Sequence, residues 1–246
     1  MLSRYFPLCL GLAGMLMAHS AFASISLSAT RVIFDGANKE ANVTVRNGGQ
    51  TILVQSWLDN GETDSSTPPF AVTPPLARME ANQQQLLRIL YEGKGMPVDK
   101  ESVVWLNVQE IPQAAATDAN TLQLAVRQRI KLFFRPAGLS GDAAKAPELL
   151  SWKLENVAGK PSLKVTNTGN YHVSLADLKV GAGQNFELVM DSTMISPGEV
   201  KVFTMKSRPQ ASSPRLTFSA INDYGAQQTF DAPLTDIGSF AGRTAN

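Results

Sequence analysis

Apolar and polar residues alternate along most of the chain, and the longest such run is TLQLAVRQRIKLFFRP at 121–136. Its even positions carry Leu122, Leu124, Val126, Ile130, Leu132 and Phe134, broken at Gln128, while its odd positions carry Gln123, Arg127, Arg129, Lys131 and Arg135. A period of two marks a half-buried strand. At about 3.3 Å per residue the run spans roughly 50 Å, far beyond the usual strand of about 5–6 residues. One small sandwich cannot bury so long a stripe. Part of it must meet a neighbouring domain or form an exposed edge for another chain to cover.

Shorter runs of the same kind fall near 25–34, 41–46, 52–58, 70–73, 85–92 and 102–111 ahead of it. Others follow near 149–155, 162–167, 172–180, 185–190, 199–205, 215–221 and 227–232. Turn-forming pieces such as Asp35-Gly36, Asn47-Gly48-Gly49 and Asn60-Gly61 separate them, and helical periodicity never outlasts a turn or two. Thr73-Pro74-Pro75 marks an edge, a bulge or a crossing between sheets, because proline donates nothing to a ladder. Between the two sets, PAGLSGDAAKAP at 136–147 reads as a linker, and from Thr235 the pattern fades into a loose tail. The expectation is an all-β chain of two immunoglobulin-like sandwiches, 24–136 and 148–246, joined by 137–147.

The first 23 residues change the picture of where the chain works. Arg4, the apolar run from Phe6 to Met17 and Ala21-Phe22-Ala23 have the pattern of a cleaved export signal, with Ser24 opening the mature chain. Cys9, the single cysteine, falls inside that signal, so no disulfide or thiolate metal site is expected afterwards. Lys and Arg number 22 against 21 Asp and Glu, so loss of Arg4 leaves a formally neutral chain without the basic excess a nucleic-acid partner wants.

Catalytic readings find no support. His172 is the only histidine beyond the signal and reads as a surface or core residue, no Gly-x-Ser-x-Gly turn presents a nucleophile, and no histidine cluster offers a metal site. Trp57, Trp105 and Trp152 are scattered and read as packing residues. Arg31, in the first strand, and Lys131, in the long one, admit two readings. They are solvated residues on outward faces with stems over apolar surface, or they share one cleft, where adjacent cations repel unless an anion joins them.

Five segments resemble the periplasmic chaperones of the chaperone–usher pathway, which assemble fimbriae on Gram-negative bacteria. They are Thr30 to Phe34, Thr73-Pro74-Pro75, Trp105 to Pro112, Arg129 to Pro136 and Ile221 to Gly225. The short cysteine-free connection from Pro112 to Leu122 is similar to the short-loop branch of that family.

The resemblance implies a boomerang of two immunoglobulin-like domains, a periplasmic location and no enzymatic activity, cofactor or metal. Arg31 and Lys131 would anchor the C-terminal carboxylate of a fimbrial subunit. Leu122, Leu124 and Val126 would be the donor-strand side chains that complete the subunit's fold. Glu101, Arg135 and Asp223 would form an interdomain ion network. An outer-membrane usher would be the second partner, and a second copy of the chain could cover the exposed strand when no subunit is bound. The rival expectation is an exported immunoglobulin-like fimbrial subunit or adhesin.

Overall fold

The computed structural model describes residues 25–61, 66–113, 124–183, 185–209, 214–235, 239–240 and 242–243. The export signal, Leu122 and the loop ahead of it lie outside these residues.

Among the described residues nine strands build the first domain: β1 Ile25–Leu27, β2 Arg31–Asp35, β3 Glu40–Asn47, β4 Ile52–Asp59, β5 Phe70–Thr73, β6 Leu76–Met79, β7 Gln84–Tyr91, β8 Ser102–Pro112 and β9 Arg127–Arg135. They form two sheets, β1-β3-β7-β5 and β2-β9-β8-β4-β6. The alternation reappears as burial: Val43, Val45, Leu87 and Ile89 from one sheet meet Phe34, Val104, Leu106, Leu132 and Phe134 from the other. Phe34, Phe70, Tyr91 and Phe134 pack ring against ring at centroid distances of 4.6 to 6.3 Å.

The second domain has β10 Leu150–Val157, β11 Lys160–Asn167, β12 Val173–Ala182, β13 Asn185–Ile195, β14 Val200–Thr204, β15 Arg215–Ile221, β16 Gln227–Pro233, β17 Ser239–Phe240 and β18 Gly242–Arg243. Its sheets are β14-β11-β10-β17 and β13-β12-β15-β16-β18. Trp152 lies in its core, 5.3 Å from the Phe218 ring, which stacks on Phe230. A shared device closes the corners of both sandwiches. Buried Asn47 donates to Gln50, Met79 and Glu80 carbonyls, and buried Asn167 donates to those of Tyr171 and Ile195. Each accepts from a glycine two residues on, Gly49 or Gly169.

Several elements differ from the sequence reading. The first run is two strands, because β1 pairs with β3 in one sheet and β2 with β9 in the other. Pro74 follows a cis peptide, and beyond it β6 runs antiparallel to β4 in the opposite sheet to β5. Of the run expected at 121–135, β9 takes up Arg127–Arg135, paired with β8 from Gln109↔Arg127 to Ser102↔Phe134, while 124–126 belong to no strand and 121–123 lie outside the described residues. The linker is packed: a 3-10 helix, Ala143–Leu149, puts Ala146 into the second core, capped by Asp142 accepting from the Ala144 N–H. The tail is not wholly loose, because β17 pairs with β10 and β18 with β16.

Candidate functional site

β9 lies between β2 and β8. Its pairing with β2 is parallel, in the register Arg31↔Lys131 to Asp35↔Arg135, so the two cations are direct cross-strand neighbours. Val32, Phe34, Leu132 and Phe134 point into the first core, which places Arg31 and Lys131 on the opposite face of the sheet. Arg31 Nη1 donates to the Ile221 carbonyl of the second domain at 2.9 Å, while its Nε is buried without a partner. Lys131 Nζ stands 5.5 Å from the centre of the Trp105 ring, on β8 opposite. Among the described residues neither cation has an ion-pair partner.

The electrostatics of the pair are strained in a way that invites an anion. Burial, then the charges of Arg31 and of Lys201 in β14, holds the Lys131 ammonium below its usual pKa. Burial also lowers the Arg31 guanidinium, partly offset by the charges of Asp223 and Glu101. A carboxylate received between them would relieve the repulsion and suits both donors, arginine by paired hydrogen bonds and lysine as a point charge.

Glu101, Arg135 and Asp223 meet at the domain interface. Arg135 Nε donates to Glu101 Oε2 at 2.7 Å, and its two terminal nitrogens donate to the two oxygens of Asp223 at 2.7 Å each. Burial alone would lower the Arg135 pKa, but the hydrogen bonds to Asp223 and Glu101 outweigh it and raise it. His172 joins this group: its backbone N–H donates to Glu101 Oε1 at 2.8 Å, and its Nδ1 lies 2.9 Å from the same oxygen. The Glu101 N–H donates in turn to the Asn170 carbonyl, so the first domain grips the second through main chain as well.

The third part of the site is an open edge. β2 begins opposite Lys131, so residues 127–130 have no strand on that side among the described residues. Ahead of them Leu124 is 69% exposed and Val126 is 43% exposed, with the Glu110 N–H donating to the Val126 carbonyl at 3.0 Å and the Val126 N–H donating to Glu110 Oε1 at 3.3 Å.

Family profiles match nearly all of this architecture. That of the pili and flagellar-assembly chaperone, PapD N-terminal domain, covers residues 24–140, and that of the pili assembly chaperone PapD, C-terminal domain, covers 145–232. The chain belongs to the pilus-assembly chaperone family. It is 40% identical over 224 residues to the probable fimbrial chaperone YadV of Escherichia coli K12, covering 86% of this chain and 90% of that one. The crystal structure of the YadV chaperone superposes with a TM-score of 0.74 at 39% identity, over 86% of this chain and all of that one. A structure of the Salmonella enterica SafA pilin in complex with the SafB chaperone matches with a TM-score of 0.68 at 28% identity, over 92% of this chain and 99% of that one.

Three residues of this chaperone's site carry more than their sequence context suggested. Phe133 breaks the polar odd stripe of β9, and its ring contacts both His172, at 5.8 Å between centroids, and the Arg31 guanidinium, at 5.7 Å. An apolar residue at an odd position was the signal for it. Trp105 underlies Arg129 at 4.3 Å as well as Lys131. His172 had no such signal, because its value comes entirely from meeting Glu101.

The turn carrying Asp223 sits hard against the first domain. Gly225 has φ +83°, and a Cβ there would lie 2.5 Å from Thr30 Oγ1, next to Arg31. Gly225→Ala in the chaperone is expected to lose about 1–2 kcal/mol, the cost of a left-handed residue with a side chain. Urea unfolding measures it, and an unchanged midpoint would show that the turn yields freely.

Proposed function

We propose that this chaperone works in the periplasm, holding fimbrial subunits by lending them the 122–126 strand and passing them to an outer-membrane usher. The observation that carries the reading is the open edge of β9 running into the Arg31–Lys131 pair. A guest strand laid along 127–130 in the direction of β2 takes the place β2 leaves vacant, and its C-terminus then meets the two cations. Strand addition supplies backbone hydrogen bonds of low sequence selectivity, while alternate side chains supply the fit. Leu122, Leu124 and Val126 would serve as the apolar pegs, each contributing about 1.5–3 kcal/mol before ordering costs. The solved SafB complex with a pilin supports the same use of the fold.

In this scheme the network of Glu101, Arg135 and Asp223 holds the angle between the domains, and so the distance between anchor and guest. Export by the 1–23 segment would place the chain where subunits emerge, and osmotic-shock fractionation tests that location.

Leu124→Glu is the direct test of strand donation. It places a charge where the guest offers an apolar pocket and so removes stable complexes. Because Leu124 is mostly exposed in the free chain, the variant should melt as the wild type does. Subunits co-expressed with it should be degraded by added protease; full protection would overturn the assignment.

A further inference from the structure

Two carboxylates approach Arg31, and both are already engaged. Asp223 accepts the two terminal nitrogens of Arg135, and Glu101 Oε2 accepts Arg135 Nε. Glu101 Oε1 is occupied from the other side by the backbone N–H and ring Nδ1 of His172. An ionised carboxylate only accepts, so the imidazole carries a proton on Nδ1. The Glu101 side chain is 1% exposed and that of His172 is 5% exposed, so these donors stand in for the water this carboxylate has lost.

Arg31 is placed to compete for that carboxylate. It lines the same interdomain cavity as Glu101, Arg135, His172 and Asp223, and the Phe133 ring touches both Arg31 and His172. It spends Nη1 on the Ile221 carbonyl but leaves Nε buried and unpaired, and its guanidinium already feels the charge of Glu101. Lys131 does not line that cavity.

We propose that His172 is a positioning residue for the carboxylate anchor: by satisfying Glu101 Oε1 it keeps Glu101 from capturing Arg31, which stays with Lys131 for the guest's terminal carboxylate. The proposal rests on the reading of Arg31 and Lys131 as that anchor. Without the ring donor, Glu101 Oε1 retains only one backbone N–H, and an internal Arg31–Glu101 pair competes with the guest. His172 thus acts on binding through Glu101 and Arg31, without touching the guest.

The test compares two forms of a short synthetic peptide of alternating valine and serine, one ending in a free carboxylate and one in an amide, binding to the full mature chain by calorimetry. The wild type should prefer the carboxylate form. His172→Phe keeps a ring against Phe133 but has no donor, and its preference should fall about tenfold, the scale of one hydrogen bond to a charged group. His172→Asn offers an amide N–H near the position of Nδ1 and should restore it. Adding Glu101→Gln to His172→Phe removes the competing charge and should also restore it. An unchanged ratio in His172→Phe, an equal loss for both peptides, or failure of both rescues overturns the proposal. Absence of any preference in the wild type would instead overturn the anchor reading, and this proposal with it.

Discussion

Lys131→Ala is expected to leave the chaperone folded and to cost it about 2–5 kcal/mol of affinity for a subunit with a free C-terminal carboxylate, the range for truncating one partner of a buried charge pair. Lys131 has no ion-pair partner among the described residues, and its ammonium is held below its usual pKa by burial and by the charges of Arg31 and Lys201. Removing it therefore relieves repulsion when no guest is present, and the melting temperature should stay level or rise slightly. With a guest bound, the same removal leaves the carboxylate to Arg31 alone. Co-purification of subunits from periplasm, with a thermal melt of the free variant, reads both effects. Undiminished subunit recovery would remove Lys131 from the anchor. Arg31→Ala should weaken binding too, but it also breaks the bond to the Ile221 carbonyl, so its melt should fall.

Arg135→Ala is expected to destabilise the chaperone by about 3–5 kcal/mol, because it strands a buried charge. Glu101 keeps His172 but loses its bond at 2.7 Å to Arg135, and Asp223 loses both of its charged donors. The damage falls on the interface rather than on either core, since neither sandwich core includes Arg135. Urea unfolding should therefore show an early transition, and small-angle scattering a wider spread of domain orientations. A wild-type midpoint and scattering profile would show that the links left, from Glu101 to Asn170 and His172 and from Arg31 to Ile221, hold the domains without Arg135.

Legibility in the sequence followed the range of the interactions. The alternation of Leu132 and Phe134 with Lys131 and Arg135 announced which residues enter the first core and which stay outside, because side chains of a strand alternate between faces whatever it pairs with. The same rule failed where context intervened. It ran the strand back to 121, of which 121–123 lie outside the described residues, whereas the ladder with β8 begins at Arg127, opposite Gln109. It also passed over Phe133, which faces away from the first core and packs against His172 of the second domain. PAGLSGDAAKAP has the composition of a linker, yet its end coils into a 3-10 helix because Ala146 finds apolar company in the second sandwich.

The sequence by itself determined two β domains with their cores, the parity that sets Arg31 and Lys131 apart from the core positions of their strands, and the apolar alternation of Leu122, Leu124 and Val126. Those properties depend on period, polarity and side-chain size, which are local. Only the tertiary structure decided that Arg31 and Lys131 stand side by side, that β9 is open along 127–130, and that His172 closes the ring around Glu101. The physical reason is that register is set by pairings between strands a hundred residues apart and by the docking of one sandwich on another, and no single segment of the chain holds that information.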